Sequence, residues 1–221
     1  LQVYDALNGE IRACKRAQQS TLRLAALDTV SSRWVPQAVA ALKNEYPHIT
    51  VSVISGSPMQ VDNWLRDGSV EIGVTDRRWT GAELDWTKLV DDPFLAVLPP
   101  DSDAPDPMPA DYLSGKAVII PDYGTNTDTI RVFTRAGVEP AYTDDRLNNR
   151  SVLAAVAAGL GSTVFSRLEL DYYAQQNLTV RAIDPPCLRE LGVAMRPAVK
   201  NNPVARSLLR ALRRAAADDI A

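Results

Sequence analysis

The sequence has few of the residues that build common catalytic and metal sites. Its 221 residues include one histidine, His48, and two cysteines, Cys14 and Cys187, which lie far apart in the chain. These three residues do not form a closed zinc site, and the cysteines do not form a disulfide framework. Neither the G-x-S-x-G motif of serine hydrolases nor the G-x-x-x-x-G-K-[ST] motif of P-loops occurs. We therefore expect a protein that is not an enzyme, has no cofactor and works in a reducing compartment.

Long apolar runs and an excess of charge are also missing. No stretch approaches the roughly eighteen consecutive apolar residues of a membrane-spanning helix, and the first twenty lack the apolar core of a secretory signal. Lysine and arginine number 24 against 27 acidic residues, which gives a formal net charge of −3. Such a balance provides no global field for nucleic acid or anionic lipid. We expect neither membrane association nor DNA binding by this part of the protein alone.

Hydrophobic residues make up 46% of the chain, enough for a sizeable core. The chain is organised around residues 22–46, where a short apolar run at 22–27 predicts a buried strand. Pro36 suits the first turn of a helix. The helix after it is predicted from apolar residues at helical spacing, namely Val35, Val39, Leu42 and Tyr46.

A polar segment, residues 28–32, separates this strand from this helix. Ligands of open α/β sheets lie at such junctions, because helix amino termini and unpaired backbone N–H groups point there. Asp28, Thr29, Ser31 and Ser32 are therefore candidate ligand groups. The serines also suit a second interpretation, as N-caps of the helix, and Asp28 as an acceptor for the N–H groups of the following turn.

The same alternation continues along the chain. Strands are predicted at 49–54, 70–74, 84–90 and 94–98, with a helix at 59–67 that ends at Gly68. This βαβαβ order favours a parallel sheet. Residues 99–109 then contain five prolines and three aspartates, which cannot continue a strand or a helix.

A second alternating region follows this proline-rich segment. Pro185 and Pro186 mark another interruption, after which a last strand and helix, 190–195 and 203–217, lack a partner nearby. We therefore predict two Rossmann-like α/β lobes, residues 22–98 with 188–221 and residues 99–187, joined by two crossover segments. The second lobe is predicted to contain strands at 117–120, 142–147, 162–166 and 178–183 and helices at 129–136, 151–158 and 168–175.

Residues 1–20 differ from the rest of the chain. Their apolar and small residues recur at alternating spacings of three and four, typical of a coiled-coil seam. An amphipathic helix packed on its own domain fits the same pattern, and the sequence leaves both interpretations open. The residues concerned are Tyr4, Leu7, Ile11, Cys14 and Gln18.

Three fragments, YPHITVSVISGS (46–57), LRDGSVEIGVTD (65–76) and VLAAVAAGLGSTVFS (152–166), resemble the effector-binding domain of LysR-type transcriptional regulators. The resemblance covers residues 22–217. It implies a fold like that of type 2 periplasmic binding proteins, with residues 1–20 as the end of a linker helix. It also implies a cytoplasmic homodimer or homotetramer whose lobes close on a small organic effector. DNA would be bound only by a winged helix-turn-helix that these residues do not contain.

By matching position, the resemblance also implies which residues line the effector cleft. Small hydroxyl and amide groups at helix amino termini suit a carboxylate or another oxyanion. Taken one at a time, the four serines suit helix caps better, and the glycine a turn. The implied residues are Asp28, Thr29, Ser31, Ser32, Gly56, Ser57, Tyr123, Thr125, Asn126, Asn149, Ser151 and Phe165, with Thr75 and Asp76 as further candidates.

The sequence departs from the family pattern in ways that bear on the ligand. Asp28 stands where serine or threonine is common, so we expect selection against purely anionic effectors and in favour of amines or hydroxyls. Ser166 stands where proline is common. The resemblance further implies that Val39 and Leu42 contact a neighbouring subunit, and Trp34 is a candidate for the cleft or that interface. Two alternatives remain, a solute-binding protein of a transport system and, less supported, an enzyme on the same scaffold.

Overall fold

The computed structural model describes residues 21–121, 126–173 and 177–220. The predicted linker helix at 1–20 and the candidate residues Tyr123 and Thr125 lie outside them. In chain order the elements are β1 (Thr21–Ala26), α1 (Asp28–Ser31), α2 (Trp34–Glu45), β2 (Thr50–Ser55), α3 (Pro58–Asp67), β3 (Ile72–Asp76), β4 (Asp85–Leu98), β5 (Met108–Pro109), β6 (Ala117–Pro121), α4 (Asn126–Ala136), β7 (Ala141–Leu147), α5 (Asn149–Ala157), β8 (Thr163–Ser166), α6 (Arg167–Tyr173), β9 (Thr179–Asp184), β10 (Leu188–Met195) and α7 (Pro203–Ile220).

The chain divides into two compact units. Unit 1 comprises the described residues up to Val90 together with those from Leu191 onward, and unit 2 is the continuous stretch Asp91–Glu190. The chain leaves unit 1 within β4 and returns within β10. This division lies earlier than the predicted first crossing at residue 99.

Unit 1 is built on a largely parallel sheet. β1 lies between β2 and β3 and pairs with both in parallel, as the βαβαβ pattern predicts. β10 pairs with β3 in the antiparallel direction, with Val193 opposite Val74. Helices α2 and α7 pack together, and both contribute fully buried side chains, among them Trp34, Leu42, Leu208 and Leu212.

Unit 2 is built around the second half of β4, whose side chains alternate between two cores. Phe94, Ala96 and Leu98 belong to one hydrophobic cluster, whereas Leu95 and Val97 belong to another. This alternation follows from the two-residue period of a strand that is covered on both faces. β4 pairs with β8 and β9 in the antiparallel direction, and β6 pairs in parallel with β7.

The mixed α/β fold predicted from the sequence is confirmed, and two local predictions are wrong. Residues 85–98 form one continuous strand rather than two. The proline-rich segment 99–109 is not a crossing between the units but a part of unit 2, because Met108 is fully buried in the core of that unit and β5 pairs in parallel with β9. Within residues 21–121, 126–173 and 177–220, the helices are too short or too polar to cross a membrane.

Candidate functional site

The junction after β1 is a helical turn rather than the predicted loop. Leu27 adopts an extended conformation at the N-cap of α1, and its N–H donates to the carbonyl oxygen of Val74 at 3.2 Å, which continues the β1–β3 pairing. The hydroxyl groups of Ser31 and Ser32 donate to the carbonyl oxygen of Asp28 at 3.0 and 3.2 Å. Both serines therefore stabilise the end of α1.

Helix α2 begins without a side-chain cap, because its N-cap residue is Arg33. The interpretation of Ser31 and Ser32 as N-caps of α2 is therefore wrong: the extra turn α1 uses their hydroxyls instead. Asp28 lies in the first turn of α1, and its side chain is exposed to solvent. Its predicted influence on ligand charge stays a prediction.

Two threonine hydroxyls at neighbouring strand ends in unit 1 are buried. Thr29 follows β1 and is 5% exposed, whereas Thr75 is the penultimate residue of β3 and is fully buried. Among the described residues, neither Oγ1 atom has a hydrogen-bond partner. A buried hydroxyl without a partner costs on the order of 1–3 kcal/mol. Their burial at the carboxyl ends of adjacent parallel strands makes them the strongest candidate ligand groups of unit 1.

Gly56 and Ser57 have structural roles at the start of α3. Ser57 is the N-cap and forms a capping box with Gln60: its Oγ accepts from the Gln60 N–H at 3.3 Å, and its own N–H donates to the Gln60 side chain at 2.9 Å. A Cβ atom on Gly56 would lie 2.8 Å from the Trp64 ring, so the residue must be small. A role for either residue in ligand binding stays a prediction.

Asp76 is buried at the end of β3, where its carboxylate is paired with Arg78. The Arg78 Nε donates to both carboxylate oxygens at 3.1–3.2 Å, and its backbone N–H donates to Oδ1 at 2.9 Å. This ion pair neutralises the only candidate carboxylate of unit 1 besides Asp28. Asp76 therefore stabilises the turn at Arg77–Trp79 and offers no uncompensated charge to a ligand.

In unit 2 the structure places three of the candidates at helix amino termini. Asn126 is the first residue of α4 and Asn149 the first of α5. Ser151 lies one turn into α5, and its backbone N–H donates to the side chain of Asn148 at 3.0 Å. Asn148 is therefore the cap that the sequence interpretation assigned to Ser151.

Phe165 lies in the hydrophobic core of unit 2. It is fully buried in a hydrophobic cluster with Val152, Leu153 and Val156 of α5 and Leu170 of α6. Its position on β8 places the ring against the helices that cover this face of the sheet. Its role in lining a pocket stays a prediction.

The predicted interface residues on α2 have different surroundings. Leu42 is fully buried within its own chain, and so is Trp34. Neither exposes surface to solvent, because α2 turns this face towards α7. The predicted roles of Leu42 at a subunit interface and of Trp34 at the cleft or that interface stay predictions. Val39 is half-buried and keeps accessible surface.

Sequence reasoning missed a buried ion cluster in unit 2, formed by Asp92, Glu169 and Arg189. The Arg189 Nε donates to Oδ2 of Asp92 at 2.8 Å, and its guanidinium lies 3.4 Å from Oε1 of Glu169. Burial raises the pKa of Glu169, against the opposing charge of Arg189. Burial alone would lower the pKa of Arg189, but the carboxylates of Glu169 and Asp92 raise it. The sequence contains no signal of this cluster, because Asp92 lies far from the other two residues along the chain, and Asp92 and Arg189 each stand beside another charged residue.

Ser166 also belongs to this region. It accepts a hydrogen bond from the Glu169 N–H at 3.3 Å and donates its own N–H to Glu169 Oε2 at 3.2 Å. Ser166, which stands where the family commonly has proline, is therefore part of a capping box for α6.

Among the residues that the structure describes, no group of His, Cys, Asp and Glu could hold a metal ion.

Comparison with known proteins places this geometry in a family. Residues 15–217 match the LysR substrate binding domain. The chain is 26% identical over 203 residues to the HTH-type transcriptional regulator YfeR of Shigella flexneri, covering 88% of this chain and 66% of YfeR. The chain therefore spans about two thirds of that regulator's length.

Two solved structures share the fold. The regulatory domain of CcmR from Synechocystis PCC6803, in complex with 2-PG, superimposes with a TM-score of 0.74 at 22% identity over 88% of this chain and 96% of that one. A full-length BenM mutant superimposes with a TM-score of 0.81 at 15% identity over 99% and 75%. The chain belongs to the LysR substrate-binding domain family, the effector-sensing part of LysR-type transcriptional regulators, and is not an enzyme.

Proposed function

We propose that this chain senses a small polar metabolite through the hydroxyl groups of Thr29 and Thr75. The proposal rests on one observation: both hydroxyls are buried at adjacent strand ends, and neither has a hydrogen-bond partner among the described residues. The Thr29 carbonyl oxygen accepts from the Ser32 hydroxyl at 3.2 Å, whereas the hydroxyls of Thr29 and Thr75 have hydrogen-bonding capacity left. A ligand that supplies an acceptor or a donor to each would recover the cost of burying them.

The charge around this position favours a ligand that is not purely anionic. Asp28 is exposed beside Thr29, and the Asp76 carboxylate beside Thr75 is paired with Arg78. Asp28 therefore places a negative charge beside Thr29, whereas the charge of Asp76 is compensated by Arg78. An effector with hydroxyl or amine groups suits this position better than a dicarboxylate, because like charges repel. Asn126, Asn149 and Ser151, together with Tyr123 and Thr125, remain candidates from unit 2.

The family suggests how effector binding would be converted into a change in transcription. We propose that effector binding shifts the population of conformations of the full-length regulator and thereby its action on DNA. DNA is bound by a part of the regulator other than residues 21–220, and the regulator works as a homodimer or homotetramer in the cytoplasm, where its promoters are. The name of YfeR as an HTH-type transcriptional regulator supports this proposal.

The test replaces each hydroxyl by a methyl group of the same shape. A thermal-shift screen of amino acids, sugars and aromatic acids first selects a compound that stabilises the wild-type chain. Calorimetric titration with that compound should then show affinity lower by about tenfold for Thr29→Val and for Thr75→Val, which corresponds to one lost hydrogen bond. Neither substitution should lower the free energy of unfolding of the ligand-free chain.

Thr80→Val is the matched control, because the Thr80 hydroxyl is buried in the same unit but donates to the Asp76 carbonyl oxygen at 3.1 Å. This variant should lose stability and keep its affinity. Unchanged affinity in both Thr29→Val and Thr75→Val would refute the proposal. Asp28→Ser tests selectivity separately: it should improve binding of anionic compounds from the same screen, and an unchanged order of preference would contradict a role for Asp28.

A further inference from the structure

The residue that faces Thr75 across the sheet of unit 1 has no side chain. Gly192 of β10 lies opposite Thr75 of β3 in their antiparallel ladder. Opposite residues of such a ladder direct their Cβ atoms to the same face of the sheet, about 5 Å apart. Because Gly192 lacks a Cβ, there is room for a group from elsewhere in the chain directly beside Thr75.

The indole of Trp86 occupies this room. A Cβ atom on Gly192 would lie 2.5 Å from Cζ2 and 2.8 Å from Cη2 of the Trp86 ring. The ring therefore stands where the missing side chain would be, next to Thr75 on the same face. A carbon ring offers a hydroxyl at most a weak hydrogen bond, so the indole covers the Thr75 hydroxyl without satisfying it.

Helix α3 covers the neighbouring part of this face. Gly73 precedes Thr75 by two positions, so both residues face the same side of the sheet. A Cβ atom on Gly73 would lie 2.7 Å from side-chain atoms of both Leu65 and Val61 of α3. Leu65 and Val61 are buried in the core. This part of the cover is therefore fixed by core packing.

The indole is held less firmly than α3. Trp86 is half-buried, and the guanidinium of the exposed Arg77 lies 5.6 Å from the centroid of its ring, within the range of a cation–π contact. Arg77 also donates from Nη1 to the Thr80 carbonyl oxygen at 3.2 Å. Turning the indole outward would break a contact with one exposed side chain and leave the packing of α3 in place.

We propose that the Trp86 indole is a gate over the Thr75 hydroxyl, and that it admits compact effectors and excludes bulky ones. An effector reaches the hydroxyl when the indole turns outward, and the space left beside Gly192 limits the size of the group that enters. The gate itself is argued from the packing of unit 1, whereas its part in effector selection rests on the proposed function.

Labelling of a Thr75→Cys chain with N-ethylmaleimide tests the gate without any effector. Mass spectrometry of the peptide that contains residue 75 separates its thiol from those of Cys14 and Cys187. Labelling of residue 75 should be at least about tenfold faster when Trp86→Ala is added, because a covered thiol reacts only while its cover is open. Equal rates in the two chains would overturn the proposal.

Two control chains distinguish a local gate from general loosening. Trp79→Ala removes another half-buried indole of unit 1 and should leave the labelling of residue 75 unchanged. Ser207→Cys places a thiol at a buried position of α7, and its labelling should not change when Trp86→Ala is added. Equal acceleration by Trp79→Ala, or acceleration at residue 207, would overturn the proposal.

If Trp86→Ala does not fold, Arg77→Gln replaces it, since this change removes the cation–π contact at an exposed position. Labelling of residue 75 should then be about two- to fivefold faster. Arg66→Gln, at an exposed position of α3, is the matched control and should have no effect. Equal rates in the Arg77→Gln chain and its parent would count against the gate.

The thermal-shift screen tests effector selection separately. Bulkier derivatives of the compound that stabilises the wild type should stabilise Trp86→Ala but not Trp79→Ala. The same response in both variants would refute selection by the gate. If labelling becomes faster as expected while Thr29→Val and Thr75→Val keep their affinity, the proposed function fails and the gate remains, so the two failures can be told apart.

Discussion

The indole N–H of Trp34 donates a 2.8 Å hydrogen bond to Oδ2 of Asp219. The other oxygen of the same carboxylate accepts from the Arg33 guanidinium at 2.5 and 3.2 Å. The Asp219 carboxylate, near the end of α7, thus accepts hydrogen bonds from the side chains of Trp34, the first residue of α2, and of Arg33, its N-cap. This arrangement ties the start of α2 to the end of α7.

We expect Asp219→Ala to lower the free energy of unfolding by about 1–3 kcal/mol, because it leaves a fully buried indole N–H and a half-buried guanidinium without their acceptor. Urea denaturation followed by circular dichroism measures the change. Asp218→Ala, at the exposed neighbouring position, is the control and should change stability by less than about 0.5 kcal/mol. Equal losses in the two variants would contradict the role of Asp219.

The capping box at α3 separates a structural role of Ser57 from a ligand role. Ser57→Ala should cost about 0.5–2 kcal/mol of stability, whereas Ser57→Asn, which can still accept from the Gln60 N–H, should remain close to the wild type. Thermal and urea denaturation check both values. If Ser57→Asn keeps stability but loses affinity for the screened compound, Ser57 also contacts the ligand.

Glu169 should make stability depend on pH. Since burial raises its pKa above the ordinary value of 4.5, its contribution to stability is fully present below that value and is lost as the pH rises through the raised pKa. Glu169→Gln cannot ionise, so its free energy of unfolding relative to the wild type should rise over this interval and then level off. Denaturation at a series of pH values measures the difference.

Glu83→Gln is the control for this titration, because Glu83 is an exposed glutamate in unit 1. Its difference from the wild type should not show the same rise. A relative stability of Glu169→Gln that falls with pH would mean that attraction to Arg189 outweighs the cost of burying the Glu169 carboxylate.

Leu42 offers a test of how the buried face of α2 is packed. Leu42→Ala should lower the free energy of unfolding by about 2–5 kcal/mol, because it opens a cavity between α2 and the core. Val39→Ala should cost less, since Val39 is half-buried. Sedimentation velocity together with urea denaturation distinguishes unfolding from dissociation. A stable Leu42→Ala chain that only changes its oligomeric state would contradict the burial described here.

The elements that the sequence predicted well carry local signals. Helix α3 is the clearest case: Gly68 ends it in the left-handed conformation at φ 83°, and Ser57 begins it three residues before Gln60. The parallel pairing of β1 with β2 and β3 followed from short connections and apolar runs. Such signals depend only on neighbouring residues.

The predictions that failed depend on distant partners. Asp92 and Arg189 are separated by 97 positions, and their ion pair lies within β4 at the point where the sequence predicted two separate strands. Trp34 was a candidate for the cleft or an interface, yet it is fully buried and its indole N–H donates to Asp219 of the distant helix α7. For the candidate site, Thr29 was predicted and Thr75 was only a further candidate, since nothing in the sequence states which hydroxyl lacks a partner.

The division of unit 1 between two separate stretches of chain has a consequence for biosynthesis. Strand β10 and helix α7 leave the ribosome only after all of unit 2 has been made, yet β10 lies inside the sheet next to β3, and α7 covers α2. Until then, the nascent unit 1 exposes the edge of β3 and the apolar face of α2, whereas unit 2 is continuous. Unit 2 can therefore fold during translation, while unit 1 needs protection from aggregation until its last elements arrive.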